Sequence, residues 1–115
     1  MTRETLIDGV SLRFYTHVHV KHDGMLLTEW LLETAKKHKL GGGSVFRAIA
    51  GFGRHGVLHQ EAFFELADDL PVKVEFLLRG DEADALLKLV RDAGVELVYA
   101  RVPAQFGILC KETPT

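Results

Sequence analysis

From Leu12 to Val20 the chain alternates. Leu12, Phe14, Thr16, Val18 and Val20 fall on one side, and Arg13, Tyr15, His17 and His19 on the other. Period two with aromatic and β-branched residues predicts a strand whose faces differ. His22-Asp23-Gly24 breaks the pattern, with Asp23 as a helix-capping candidate. Over Met25–Lys39 the period changes to that of a helix: Leu27, Leu31 and Ala35 recur every four residues with Trp30 beside them. Lys36, Lys37, His38 and Lys39 suit the negative end of the helix dipole, and Gly41-Gly42-Gly43 is the expected stop. Ser44–Phe52 reads as a second strand. Gly53–Leu70 is a long connection with an amphipathic turn around Glu61–Leu66.

Pro71–Leu78 predicts the third strand, with Val72, Val74, Phe76 and Leu78 on one face and Lys73, Glu75 and Leu77 on the other. Pro71 stands at its start, where a missing amide donor is tolerated. Asp81 and Asp84 suggest the cap of a second helix through Ala93, buried along Leu86, Leu87 and Val90 and ended by Gly94. Val95–Val102 is the fourth strand, with Val98, Ala100 and Val102 assigned to the covered side and Leu97, Tyr99 and Arg101 to the other. Pro103–Thr115 reads as a tail without a period. The order β-α-β-β-α-β predicts an α+β, ferredoxin-like sandwich: a four-stranded antiparallel sheet with two helices on one face. One domain spans 1–115, with its core over 11–102, a loop over 53–70 and a C-terminal tail over 103–115.

Two helices cover one face of such a sheet. The other face collects Arg13, Tyr15, His17, His19, Lys73, Glu75, Leu77, Leu97, Tyr99 and Arg101. Aromatics, leucines and paired opposite charges exceed what a wetted face requires, so other subunits are expected to cover it.

Composition narrows the function classes. The 115 residues are 47% hydrophobic and 26% charged, ordinary for a globular chain. Fourteen basic against sixteen acidic residues give −2, which argues against a nucleic-acid surface built on bulk charge. The longest run without Asp, Glu, Lys or Arg is Val102–Cys110, well short of the ~20 residues of a membrane span, and no signal core follows the N-terminus. A cytoplasmic location is expected. The lone Cys110 makes no internal disulfide and, with Lys111 its one basic neighbour, reads as buried rather than nucleophilic.

Particular chemistries can be tested against the strands. RNA-recognition sheets need a basic, Gly-rich aromatic strand, and Pro-Val-Lys-Val-Glu-Phe-Leu-Leu is not one. Metal chaperones need Cys-x-x-Cys after the first strand, where this chain has His22-Asp23-Gly24-Met25. The anion loop of acylphosphatases is missing, and the chain is too short for a nucleoside diphosphate kinase.

Gly51-Phe52-Gly53-Arg54-His55-Gly56 has the form G-x-G-x-x-G, but no parallel βαβ unit surrounds it, so a dinucleotide fingerprint is not implied. Its physical content remains. Glycines let backbone approach a ligand and present N–H groups to an anion, and Arg54 adds a charge shaped for phosphate or carboxylate. The bland alternative is a strand bending into its loop with Arg54 in water. His17 and His19, two apart on a strand, would place their rings about 7 Å apart and could take part in a shared metal site, or serve as interface histidines. His55 or His59 with Glu61 or Glu65 is a further metal or acid–base candidate; with Glu61 it gives a nucleotide-hydrolysing alternative.

Gly-Phe-Gly-Arg at 51–54, after the second strand of this order and before a long connection, resembles the PII signalling proteins. More closely, Leu12–Val102 is similar to the PII-like family known as domain of unknown function 190. The matching stretches are Gly41-Gly42-Gly43-Ser44-Val45-Phe46-Arg47, Ala48-Ile49-Ala50-Gly51-Phe52-Gly53, His59, and Asp68-Asp69-Leu70-Pro71-Val72 followed by Glu75.

The resemblance implies a homotrimer with the uncovered sheet faces turned inward and ligand clefts between subunits. Gly51, Phe52, Gly53 and Arg54 would line an adenine-nucleotide site, the glycine amides cradling and Arg54 pairing a phosphate. PII proteins carry a second phosphate-binding stretch, Gly-Asp-Gly-Lys-Ile-Phe, where this chain reads Asp92-Ala93-Gly94-Val95-Glu96-Leu97 without a lysine. AMP or ADP is therefore expected rather than ATP, with Arg47 or Arg101 supplying compensating charge. The implied role is that of a regulatory sensor, not an enzyme. It would change the order of residues 54–69 on binding and be read by a protein partner such as a membrane transporter or an enzyme, with no nucleic acid involved. The competing readings are a trimer holding divalent metal through histidines, like the CutA proteins, and an interaction module without a ligand.

Overall fold

The computed structural model describes residues 1–50 and 70–111. Strand β1 spans Thr2–His17 and is followed by two-residue strands β2 (Lys21–His22) and β3 (Met25–Leu26), then helix α1 (Leu27–Lys37). Strands β4 (Gly43–Arg47) and β5 (Pro71–Leu78), helix α2 (Gly80–Asp92) and strand β6 (Val98–Lys111) complete the order. The main sheet runs β4-β5-β1-β6, and every neighbouring pair is antiparallel. With both helices on one side, this is the expected α+β, ferredoxin-like arrangement.

The core follows from the alternation. Val10, Leu12 and Phe14 of β1 pair with Leu78, Phe76 and Val74 of β5, and this row meets Leu27, Leu31 and Ala35 of α1 and Ala83, Leu86, Leu87 and Val90 of α2. Phe14 and Phe76 meet edge to face with centroids 6.1 Å apart. Each such side chain contributes about 1.5–3 kcal/mol through its removal from water. Among the described residues no helix is long and apolar enough to cross a membrane.

Several boundaries depart from expectation. Asp23 does not cap α1. It and Gly24 have φ of 51° and 80°, the left-handed pair that a tight type I′ hairpin demands, and they turn β2 back onto β3. The first amide of α1 is satisfied instead by backbone, Leu27 N–H donating to Val20 O at 2.8 Å. Helix α1 stops before the three glycines, in a Schellman motif: Lys39 N–H bonds Lys36 O and Leu40 N–H bonds Ala35 O, with Lys39 at φ 58°. Helix α2 ends in the same motif with Gly94 at φ 72°, as anticipated. At its start Glu82, rather than Asp81 or Asp84, accepts from the Arg79 amide at 2.9 Å.

The larger correction concerns β1 and β6. Residues 103–111 are not a tail. They continue β6, and Thr2–Gly9 continues β1 in the other direction, paired residue for residue from Thr2↔Lys111 to Gly9↔Ala104. Strand β5 stops opposite Val10, so this stretch projects as a two-stranded arm and the molecule reaches 61 Å in its longest dimension. The register also reverses the faces assigned to the fourth strand. Tyr99 lies opposite Phe14 and Arg101 opposite Leu12, on the helix side, while Val98, Ala100 and Val102 share the uncovered side with Tyr15, Arg13 and Ser11. Leu97 packs against the core rather than on the open face.

Candidate functional site

At one end of the sheet β4 finishes, β5 begins and β1 finishes, so three strands bring unlike side chains to one place. The uncovered face presents Phe46, Lys73 and Tyr15 there as cross-strand neighbours. Lys73 Nζ lies 4.8 Å from the centre of the Phe46 ring, a cation–π contact. Around them is a cleft of about 220 Å³ whose walls include Tyr15, Phe46, Arg47, Ala48, Pro71 and Lys73. Two aromatic rings and the Lys73 ammonium suit a flat, partly apolar ligand that carries negative charge. The Ala48 amide closes the β4–β5 ladder onto Pro71 O at 2.9 Å, which fixes the cleft's floor.

One residue pair further along the same face is a polar cluster. Arg13 Nε donates to Glu75 Oε2 at 2.9 Å and to Ser11 Oγ at 3.0 Å, and Ser11 Oγ donates to the same carboxylate oxygen at 2.9 Å. The Ser11 hydrogen bond outweighs the opposing effect of burial and, with the charge of Lys73 and the hydrogen bond and charge of Arg13, holds the Glu75 carboxyl below its ordinary range. Glu75 therefore stays ionised and neutralises much of the positive charge beside the cleft.

The expected ligand residues are placed unequally. Arg47 borders the cleft, but it pairs with Val72 on β5, so its side chain belongs to the helix side of the sheet, opposite Phe46 and Lys73. Arg101 is on the far edge strand and the helix side, donating to Asp84 Oδ1 at 2.6 Å and to Gly80 O at 3.3 Å, so within one chain it does not join Arg47. Gly51, Phe52, Gly53, Arg54, His55, His59 and Glu61, and the 53–69 part of the connection, lie outside the described residues.

His17 ends β1 on the uncovered face, opposite Pro71, and His19 sits in the turn that follows. The strand spacing that would have aligned their rings stops at His17. Among the described residues no three His, Cys, Asp or Glu side chains group closely enough to hold a metal ion. Cys110, expected to be buried, is exposed on the arm.

Lys73 and Phe46 were not singled out as ligand residues from the sequence. The signal that could have found them was their pairing partner: once β4 and β5 are aligned, both project from the face that carries Tyr15.

The fold is of the PII-like kind. A family model agrees: DUF190, described as uncharacterized ACR, COG1993, matches residues 9–99, and the chain belongs to that family. A UPF0166 protein of Aquifex aeolicus (strain VF5) is 35% identical over 81 residues, covering 70% of this chain and 74% of that protein. Among solved structures, CPII from Thiomonas intermedia K12 bound to ADP and bicarbonate superposes with a TM-score of 0.59 at 12% identity, over 90% of this chain and 91% of that one. The same protein bound to ADP, AMP and acetate gives 0.53 at 14% identity over 94% and 93%. Bound to ADP, AMP and bicarbonate, and described as a nitrogen regulatory PII-like protein, it gives 0.52 at 15% over 92% and 91%. At these identities the likeness is one of fold.

Proposed function

We propose that this chain is a regulatory protein of PII type that binds an adenine nucleotide, AMP or ADP in preference to ATP, and has no catalytic role. The observation that carries the reading is the cleft at the end of the sheet, where Phe46 and Tyr15 offer faces for a base and Lys73 offers charge for a phosphate. In the sequence, Gly51–Arg54 comes three residues after the end of β4. The nucleotides held by the CPII structures, which share the fold, support the same choice of ligand. The protein acts as a homotrimer whose uncovered faces meet. A ligand that prefers one state of the assembly shifts the population toward it, and a cytoplasmic or membrane-bound protein partner reads the difference.

Calorimetric titration with AMP, ADP and ATP tests the reading. Saturable binding near one ligand per chain in the micromolar range, about −8 kcal/mol, is expected, with ATP the weakest. Phe46→Ala lowers the affinity about tenfold or more by removing the stacking face. Heat signals indistinguishable from buffer for all three nucleotides would overturn the proposal.

A further inference from the structure

The arm has two unlike faces. On the helix side its residues are Glu4, Leu6 and Asp8 of β1 with Gln105, Leu109 and Lys111 of β6, and Gln105 Nε2 donates to Asp8 Oδ1 at 3.2 Å. On the uncovered side every second residue of β6 from Val98 to Cys110 is without charge, and β1 adds Ile7, Thr5 and, at the very end, Arg3. That row is continuous with the uncovered face of the sheet, where Arg13 is already paired with Glu75 and Lys73 lies over Phe46. Charges that satisfy one another, beside a long uncharged strip, suit a surface that is taken out of water.

Exposure alone misleads here. Leu109 and Leu6 are 69% and 62% exposed, more than Ile108 at 49%, yet both leucines stand among the charged residues of the helix side. Leu6 also lies across Gly107, where an added Cβ would come within 3.3 Å of its Cδ2. Phe106 lies over Gly9 on the uncovered side in the same manner, a ring filling the space that a glycine leaves.

Size decides what the arm is for. The sheet body, with β4 of five residues, β5 of eight, β1 over 10–17 and β6 over 98–103, projects a face of about 430 Å² at the usual strand spacings. A standard interface needs about 800 Å² per partner. One face of the eight-residue arm adds about 270 Å², which brings the total to about 700 Å², near that size where the body alone is about half of it. A free two-stranded ribbon is at best marginally stable in water, so the arm itself also gains from being covered.

We infer that the uncharged side of the arm is seated on a second copy of this chain, and that the arm holds the assembly together. This rests on the self-associating face proposed above and names a part of it that the sheet body does not supply.

The test is sedimentation velocity at about 10 µM on the full chain, with Ile108→Glu and Leu109→Glu compared with the parent. The parent and Leu109→Glu sediment as the oligomer, and Ile108→Glu falls to the monomer or associates at least tenfold more weakly while keeping its circular dichroism. Thr5→Glu, opposite Ile108 on the same side, must behave likewise and serves if Ile108→Glu does not fold. An Ile108→Glu or Thr5→Glu protein that assembles like the parent overturns the arm's role and leaves the oligomer standing. Equal dissociation by Leu109→Glu overturns it as well. A parent chain that is itself monomeric removes both readings at once.

Discussion

Single residues carry two testable consequences. Lys39 occupies the left-handed region at φ 58°, where an L side chain costs about 1–2 kcal/mol, because the Schellman bonds that end α1 require that conformation. Its side chain is exposed and makes no ion pair among the described residues, so Lys39→Gly removes the strain while giving back part of the gain as unfolded-chain entropy. The expected result is a net stabilisation of about 0.5–1 kcal/mol, read as a higher urea midpoint with an unchanged slope.

Glu75 gives the second. Its folded pKa is depressed below 4.5, so the unfolded chain takes up a proton first as pH falls. The stability this group contributes is complete above the unfolded value and is lost as pH drops through the folded one. Urea melts between pH 7 and pH 3 should therefore lose stability on the acid side, and Glu75→Gln should flatten that limb. An acid limb equally steep in Glu75→Gln would assign the loss to other carboxylates.

Among the elements, what was legible in the sequence was whatever one element decides alone. The buried stripe Leu27, Leu31 and Ala35, the strand Val72–Leu78 and the stop at Gly94 all depend on local periodicity or on one backbone angle. What was hidden depends on a partner strand. Val98, Ala100 and Val102 were assigned to the core because they are apolar, yet β6 is an edge strand and its helix side is covered in part by Tyr99 against Phe14 and by the Arg101–Asp84 pair. Its uncharged residues went to the other face.

The period of 103–111 was likewise concealed. Pro103, Gln105, Gly107 and Leu109 alternate with Ala104, Phe106 and Ile108, a weak contrast until Thr2–Gly9 is laid beside it. Most of the expected nucleotide contacts fell on 51–54, outside the described residues, and the cleft residues Phe46 and Lys73 emerge only when β4 and β5 are in register. Where the arm leaves the sheet, Gly9 is required by close approach, because an added Cβ would collide with the Leu78 carbonyl oxygen, which is backbone and cannot step aside. Gly9→Ala should cost about 1–3 kcal/mol in chemical denaturation, the usual range for overpacking. A neutral result would mean that the end of β5 yields more readily than its pairing suggests.

For the whole molecule the balance of covered and uncovered surface is the governing quantity. The helices bury the inner face of the two central strands, β5 and β1, while the other face keeps Tyr15, Phe46, Leu77, Val98 and Val102 partly open, and the arm adds Ile108. A chain of this size has little stability to spare, so burial gained between copies is folding free energy as much as association free energy. The midpoint of thermal unfolding must then depend on protein concentration, which a monomer's does not. For a trimer, a hundredfold increase in concentration adds about 1.8 kcal/mol per chain, since two-thirds of RT ln 100 is returned to each subunit. For a domain of about 100 residues that is a rise of about 7 °C or more. Scans at about 1 µM and 100 µM measure it directly. Adding ADP at a hundred times its dissociation constant should raise the midpoint further, by about 2.7 kcal/mol of linkage. If the nucleotide sits between copies, Ile108→Glu should abolish both the concentration dependence and most of the ADP shift. Loss of the first with full retention of the second would place the ligand wholly within one chain, against the Phe46–Lys73 end of its own sheet.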